Sequence, residues 1–275
     1  MTDSPNPYKT YVPSVPAAII AAIVFGVLTI AHTFFLFKKK RWSSIPIMIG
    51  GLFEVIGFLA RADSHYHLDE KGPYIVQTLL IFLAPILLAA SVYMFLGRLI
   101  IAAGGQAYSF IRVNWLTKIF VAGDIICFLV QAGGASILVN ATSKSAVNNA
   151  QNIILFGLVL QILFFFLFLS VAVVWQVRVR SQPLWRISIE SGLPLARMLW
   201  SLYLVGVLIT VRSIYRLAEY KGGQDGYLIT HEWPAYLLDA FLMAIVMAVT
   251  LVWYSVELSG KKAQQGLHLR VMSDV

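Results

Sequence analysis

Charged and amide side chains interrupt segments that are otherwise almost wholly apolar, and their spacing limits what chemistry they can do. Glu54 and Arg61 stand seven residues apart in "GGLFEVIGFLAR", Asp124 and Gln131 repeat that spacing in "FVAGDIICFLVQAGG", and "TVRSIYRLAEY" carries Arg212, Arg216 and Glu219. Positions i, i+4 and i+7 fall on one face of a helix, so each set presents its polar groups to a common side. Gln77 and Gln161 lie in two further apolar runs, and "HEWPAYLLDAFLMAIVMAV" contributes Glu232 and Asp239. Carboxylates can hold a cation, guanidiniums an anion, and the two can neutralise each other as ion pairs. Catalysis needs more than this: a nucleophile beside a base, or a metal cluster, and neither pattern is recognisable. No phosphate-binding GxxxxGK[ST] loop is present, so ATP hydrolysis of that kind is not expected.

Histidines add no metal motif. His65 and His67 in "DSHYHLDE" are two residues apart and cannot share a helical face, His231 sits in "THEW", and no HExxH pattern occurs. They read as solvated loop residues. His32, alone in the first apolar run, reads as a hydrogen-bonded core or interface residue. No metal and no cofactor are expected, and the single cysteine, Cys127, permits no intramolecular disulfide and no CxxC motif.

The elements that must position these groups follow from composition. Of 275 residues 59% are hydrophobic and 12% charged, with a net charge of +8 and a mean hydropathy of +0.78. An ordinary soluble domain carries about a quarter charged residues. This is the composition of an integral membrane protein. A spanning helix needs about 20 apolar residues. Seven such runs are expected over 14–37, 44–62, 74–102, 115–139, 151–177, 194–219 and 232–257: an all-α, seven-helix transmembrane bundle over 14–257. A tail over 1–13 precedes it and another over 258–275 follows. The polar, Pro-rich start lacks the basic region and cleavage site of a removable signal, so the first run reads as an uncleaved anchor. There is no soluble domain and no repeat.

Lys and Arg are retained on the cytosolic side of a membrane. One set of loops holds Lys38, Lys39, Lys40, Arg41, Arg98, Arg112, Lys118, Arg178, Arg180, Arg186, Arg197, Lys261, Lys262 and Arg270; the other holds Lys9, Lys71, Lys144 and Lys221. The N-terminus is therefore expected outside and the C-terminus in the cytosol. The basic residues lie in short clusters between apolar runs and form no continuous face, so topology explains them and nucleic-acid binding is not expected. An N-glycosylation pattern at Asn140 falls in a loop assigned to the outside. Trp42, Trp115, Trp175, Trp185, Trp233 and Trp253 fall near span ends, where interfacial belts belong. Pro85 and Pro234 are expected to kink or start helices. The pairs Gly50–Gly51 and Gly133–Gly134 are expected to permit close helix contact.

A charge at the bilayer centre costs at least a few kcal/mol. At 1.5 Å per residue, Arg212 and Asp239 lie roughly 10 Å and Glu54 roughly 12 Å below the outer ends of their helices, with Asp124 near the middle. The inner halves of the fifth and seventh runs are nearly free of polar groups. A polar cavity opening outward above an apolar floor, lined by the second, fourth, sixth and seventh helices, is the simplest arrangement. Glu54, Asp124, Gln131, Gln161, Arg212 and Asp239 are its candidate binding residues. Arg61, Gln77, Arg216, Glu219 and Glu232 are candidates for a structural or gating network. Two readings stand: interhelical ion pairs that lock the bundle, with Arg61, Arg216 and Glu219 also able to reach the outer interface, or a ligand site. Either requires Arg212 to reach an acid on the second, fourth or seventh helix.

The segments "PSVPAAIIAAIVFGVLTIAH", "IPIMIGGLFEVIGFLAR", "PYIVQTLLIFLAPILLAASVYMFLGRLI", "WLTKIFVAGDIICFLVQAGG", "VLQILFFFLF" and "VRSIYRLAEYKGGQDGYLITHEWPAYLLDAFLM", in this order, resemble the fungal RTA-like family, the lipid-translocating exporters. The resemblance runs from about Val12 to Glu257. It implies a seven-helix fungal protein of the plasma membrane or endomembranes, associated with efflux of sphingoid long-chain bases, with resistance to aminosterols and other amphiphiles, and in one branch with porphyrin or haem handling. The family's polar motif positions correspond to Glu54, Arg61, Gln77, Asp124, Gln131, Gln161, Arg212, Arg216, Glu219, Glu232 and Asp239, with no departure among them. The resemblance supplies no catalytic residues. The partners are then membrane lipids or amphiphilic small molecules, with a cationic head among Glu54, Asp124 and Asp239. A seven-helix lipid-responsive receptor that moves nothing is the alternative, and a porphyrin transporter or an intramembrane lipid enzyme stand behind it.

Overall fold

The computed structural model describes residues 12–67, 71–140, 143–183, 185–186, 194–222 and 226–255. Seven helices are long and apolar enough to cross a membrane: α1 (Val15–Lys39), α2 (Ile45–Asp63), α3 (Lys71–Ala102), α4 (Val113–Asn140), α5 (Lys144–Arg180), α6 (Leu195–Lys221) and a seventh span, α7 (Trp233–Ser255). No strand occurs among the described residues. The expected tails over 1–13 and 258–275 lie almost wholly outside the described residues.

Local chemistry sets the helix ends. Pro occupies the first turn of α1, α2 and the opening turn of α7, where its missing N–H costs nothing and its fixed φ suits a helix. Lys40 ends α1 in the left-handed region at φ 50°, with Lys38 and Lys39 in the last turn facing the negative end of the helix dipole. α5 starts seven residues before the expected 151 because Ser143 caps it, its Oγ accepting from Ala146 N–H at 3.2 Å. Its 37 residues make it about 55 Å long at 1.5 Å per residue, so it overhangs a 30 Å hydrocarbon core. Asn140 closes α4; the remainder of its glycosylation pattern, residues 141–142, lies outside the described residues.

Each helix packs against its neighbours in the chain, α7 returns to α1, and α3 also touches α6 and α7. α3 is thereby the most enclosed span: 67% of its apolar window is buried, against 28–50% for the others. Lipid is as apolar as leucine, so close packing of small residues, more than water exclusion, joins helices in a bilayer. Gly50 lies against the Ala84 carbonyl, Gly51 against Thr29 and Met247, Gly57 against Ile81 and Gly134 against Ala150 and Ile154. Gly133 meets nothing within 4 Å, so it does not share the contact expected of its pair. Ile20, Val27, Ile30, Phe166 and Val177 point outward as exposed apolar residues, which suits a surface that lipid covers.

Two tryptophans expected in the interfacial belts are core residues instead. Trp175 is fully buried and donates from Nε1 to the Gly105 carbonyl at 3.0 Å. Trp253 stacks on Phe95 at 3.8 Å between centroids and donates to Ser201 Oγ at 2.9 Å. Position along the chain says nothing of which way an indole faces; here both rings turn inward, where their N–H groups find partners. Trp42, Trp115 and Trp233 are exposed.

Candidate functional site

The acids and arginines sort themselves by helix contact. α2, α3, α6 and α7 enclose one polar cluster, and three local devices build it. The first is Pro85 inside α3. Proline has no N–H, so the carbonyl four residues earlier loses its helical partner. That carbonyl belongs to Ile81, and it accepts from Arg212 Nη2 of α6 at 3.0 Å.

The second device is a π-helical turn over Tyr236–Ala240 in α7; single π turns inside α-helices occur frequently at functional sites. Asp239 lies in that turn and is buried. Its Oδ1 takes Arg212 Nε at 2.5 Å, and its Oδ2 takes Arg216 Nη2. One carboxylate therefore bridges both guanidiniums, as required of Arg212. The third device is the i, i+3 spacing of Arg216 and Glu219, which pair at 2.9 Å, with Tyr215 Oη also donating to Glu219 at 3.3 Å. The Arg216 guanidinium lies over the Phe82 ring at 4.8 Å.

Glu54 comes to the same cluster from α2. It is 1% exposed and within electrostatic reach of Asp239, Arg212 and Arg216, yet among the described residues neither carboxylate oxygen has a hydrogen-bond partner. Gln77, one turn before Ile81 on α3 and therefore on its face, is buried with its Oε1 also unpartnered. Ionised, Asp239 and Glu219 balance Arg212 and Arg216. Glu54 is the carboxyl left over.

A second layer lies toward the start of α7. Arg61 Nη2 pairs with Glu232 at 3.0 Å, and Arg61 Nε donates to Tyr236 Oη at 3.2 Å. Tyr236 Oη donates to Glu232 at 3.2 Å, whose carboxylate also accepts from the Ser14 N–H. Four groups, from α2, α7 and the residues just before α1 and α7, close one network. Both charges in this layer have partners.

Asp124 and the Gln131–Gln161 pair stand apart from that cluster. α4 packs on α3 and α5, which carries Asp124 away from the arginines. Tyr93 of α3 donates to its Oδ2 at 2.7 Å, while Oδ1 is unpartnered. One face of α4 further on, Gln131 Nε2 donates to Gln161 Oε1 at 2.9 Å. Gly157 makes room for that crossing, because a Cβ there would sit 2.7 Å from Gln131 Cγ. The expected single site on four helices is thus divided, with Asp124 and the Gln131–Gln161 pair apart from the arginine cluster, and its charged members are enclosed: Glu54, Asp124, Arg212 and Asp239 are each under 5% exposed.

The floor below the main cluster is apolar as expected at Met243, Val246, Leu202 and Val205, all fully buried, but it carries a polar seam. His32 is buried and bonds the Met247 carbonyl through Nε2 at 2.9 Å and Tyr254 Oη through Nδ1 at 3.3 Å, the hydrogen-bonded core role its position implied. His65 bonds the Pro13 carbonyl at 2.8 Å, and His67 faces Asp63. Among the described residues no group of three His, Cys, Asp or Glu is placed to hold a metal. Sequence reasoning missed Tyr93, Tyr236, Phe82 and the Ile81 carbonyl. Only the last left a signal, in Pro85.

Comparison with known proteins decides the family. The RTA1 like protein profile matches residues 47–262. This chain belongs to the RTA1-like family. It is 33% identical over 256 residues to Protein RTM1 of Saccharomyces cerevisiae, covering 90% of this chain and 77% of that protein. The yeast Protoporphyrin uptake protein 1 is 28% identical, covering 90% and 91%. The yeast Sphingoid long-chain base transporter RSB1 is 29% identical, covering 90% and 73%. No solved structure gives a significant match. The RTA1-like chain described here is thus an integral membrane protein with seven apolar helices, and its polar cluster is made by spans that the family profile covers.

Proposed function

We propose that the protein translocates amphiphiles with a cationic head, such as sphingoid bases, across the plasma membrane or an endomembrane, and that Glu54 receives the head. The observation that carries this reading is the Glu54 carboxyl: buried, within electrostatic reach of Asp239, Arg212 and Arg216, and without a hydrogen-bond partner among the described residues. A carboxylate in a low-dielectric interior is stable only when neutralised by a proton or joined by a cation. An ammonium head arriving at Glu54 satisfies both oxygens and lets the proton leave, so head binding and proton release are one exchange. Asp239 does not serve, because both its oxygens are held by arginines.

Two relatives carry the names of a sphingoid long-chain base transporter and a protoporphyrin uptake protein. Their substrates differ in sign, an amine against carboxylates, and the cluster favours the amine. Its two guanidiniums are already engaged by Asp239 and Glu219, while its spare group is acidic. The same names support a transporter over an enzyme.

The test is efflux of a labelled long-chain base from cells expressing Glu54→Gln, with protein level measured in parallel. Loss of a charge-assisted contact of about 1.5–3 kcal/mol predicts efflux lower by about tenfold or more at unchanged abundance. Wild-type efflux from the variant overturns the assignment. Saturable binding of the base by purified protein in liposomes without movement across the bilayer overturns transport and leaves a receptor.

A further inference from the structure

The amine site at Glu54 leaves a buried acid, Asp124, without a role. It stands near the middle of α4 and is 1% exposed, with Tyr93 donating to Oδ2 at 2.7 Å and Oδ1 without a hydrogen-bond partner among the described residues. α4 packs on α3 and α5, and the charged residues of those three helices besides Asp124 are Lys71, Arg98, Lys118, Lys144, Arg178 and Arg180. All of them lie within about two turns of a helix end. Lys118 is turned to the Trp115 ring at 5.5 Å and Arg98 to Ser43. Among the described residues no cation reaches Asp124.

What faces this carboxyl is neutral. Tyr93 comes from α3, Cys127 lies one turn on in α4 within electrostatic reach, and α5 supplies Phe165 and Phe168, which pack on the Tyr93 ring. An ionised carboxylate enclosed in this way carries a desolvation cost that no partner offsets, so the group is stable as a neutral acid. A hard metal cation needs several oxygen ligands, and the side chains around Oδ1 are rings and a thiol. A proton needs one oxygen. Helix register gives the site a direction. Gly123 lies against Phe164, Gly157 against Gln131 and Gly134 against Ala150, so α4 and α5 run antiparallel. Toward the Val113 end of α4, Leu116, Phe120 and Phe168 are fully buried and close the way. Toward the Asn140 end, Cys127 and Gln131 follow Asp124 at i+3 and i+7 on one face, and Gln131 pairs with Gln161 at 2.9 Å. That polar seam leads to the end of the bundle which the basic-residue asymmetry directs outward.

We propose that Asp124 is a proton-binding site, loaded and unloaded through the seam between α4 and α5, which couples this membrane protein to the transmembrane proton gradient. In the enclosed state the proton sits on Oδ1 and Tyr93 donates to the carbonyl oxygen Oδ2. When the seam admits water, the Oδ1–H bond breaks, the electron pair stays on the carboxylate and the proton passes to water. The Tyr93 O–H then holds the remaining charge. α3 carries both Tyr93 and the Ile81 carbonyl that Arg212 engages, so one helix touches the proton site and the amine cluster together. The coupling rests on the transport reading above; proton binding at Asp124 does not.

Infrared difference spectroscopy of purified full-length protein in liposomes reads the proton directly. Wild type is expected to show a protonated-carboxyl C=O band that falls reversibly as the pH is raised and is missing from Asp124→Asn, a near-isosteric change that keeps an acceptor for Tyr93. Tyr93→Phe, a second variant, is expected to keep the band and move it to higher frequency, because the carbonyl oxygen loses its donor. Glu54 is common to all three proteins and drops out of their differences. No band assignable to Asp124, or one that persists at every pH at which the protein stays folded, overturns the proposal and leaves a static structural acid. Coupling is read in the same liposomes at zero membrane potential, with a long-chain base as probe and protein-free vesicles subtracted. Each exchanged proton adds about tenfold to the amine ratio per unit of pH gradient. Glu54 and Asp124 together predict about a hundredfold for wild type, and Asp124→Asn is expected to fall to about tenfold. Equal ratios in the two overturn the coupling. A wild-type protein that moves no amine removes the transport reading, and the infrared result alone then decides the proton site.

Discussion

Asp239 and Glu54 are both buried carboxyl groups in one cluster, and substitution should separate their roles. Asp239 bridges two guanidiniums, so Asp239→Asn leaves Arg212 without a carboxylate in direct contact and Arg216 with Glu219 alone. Breaking a buried pair from one side costs about 3–5 kcal/mol, expected as a lower thermal midpoint and a poor yield from detergent. Glu54→Gln removes no hydrogen bond, and its midpoint is expected to stay within about 1 kcal/mol of wild type while efflux falls. Equal destabilisation by the two changes would make Glu54 one more structural member of the network. The sequence placed Glu54, Arg212 and Asp239 on inward faces through their i, i+4 and i+7 spacing. It could not show which acid was spare, because pairing depends on side chains from helices far apart in the chain.

At the scale of the helix, Pro85 is the instructive residue. Its absent N–H leaves the Ile81 carbonyl to Arg212, and intramembrane proline is tolerated where a neighbour re-satisfies the freed group. A double-mutant cycle between Pro85→Ala and Arg212→Lys is expected to show a coupling of about 0.5–1.5 kcal/mol, measured by thermal unfolding in detergent; additive effects would disconnect the two. Glycines offer a second comparison. A Cβ at Gly51 would meet Thr29 Oγ1 and stand 2.6 Å from Met247 Cε, whereas one at Gly133 meets nothing within 4 Å. Gly51→Ala is expected to cost about 1–3 kcal/mol through overpacking and Gly133→Ala close to nothing. The two glycine pairs look alike in sequence. What separates them is which glycine faces a neighbour, and that follows from helix rotation, which small residues on a weakly amphipathic span do not specify. The π turn at Tyr236–Ala240 was equally hidden, since no proline or glycine marks it in the sequence.

For the whole molecule, orientation is the outstanding expectation, and Cys127 makes it measurable: the native thiol is buried, so labelling of introduced cysteines has little background. Tyr66 and Phe110 are 70% and 74% exposed in the connections after α2 and after α3. Tyr66→Cys is expected to react with a membrane-impermeant maleimide on intact cells, and Phe110→Cys only after permeabilisation. The reverse pattern would invert the topology and move the amine site to the cytosolic half. Seven spans and their approximate limits were legible in the order of residues because hydropathy and length act locally, within about 20 residues. The family was legible too, through long motifs that survive without any knowledge of contacts. Tertiary structure alone separated Asp124 from the arginines, since α3, wrapped by its neighbours, stands between them. It alone also turned Trp175 and Trp253 inward and placed Arg98 beside Ser43, because such juxtapositions arise from how seven similar apolar rods rotate and pack, and lipid solvates every one of their apolar faces equally well.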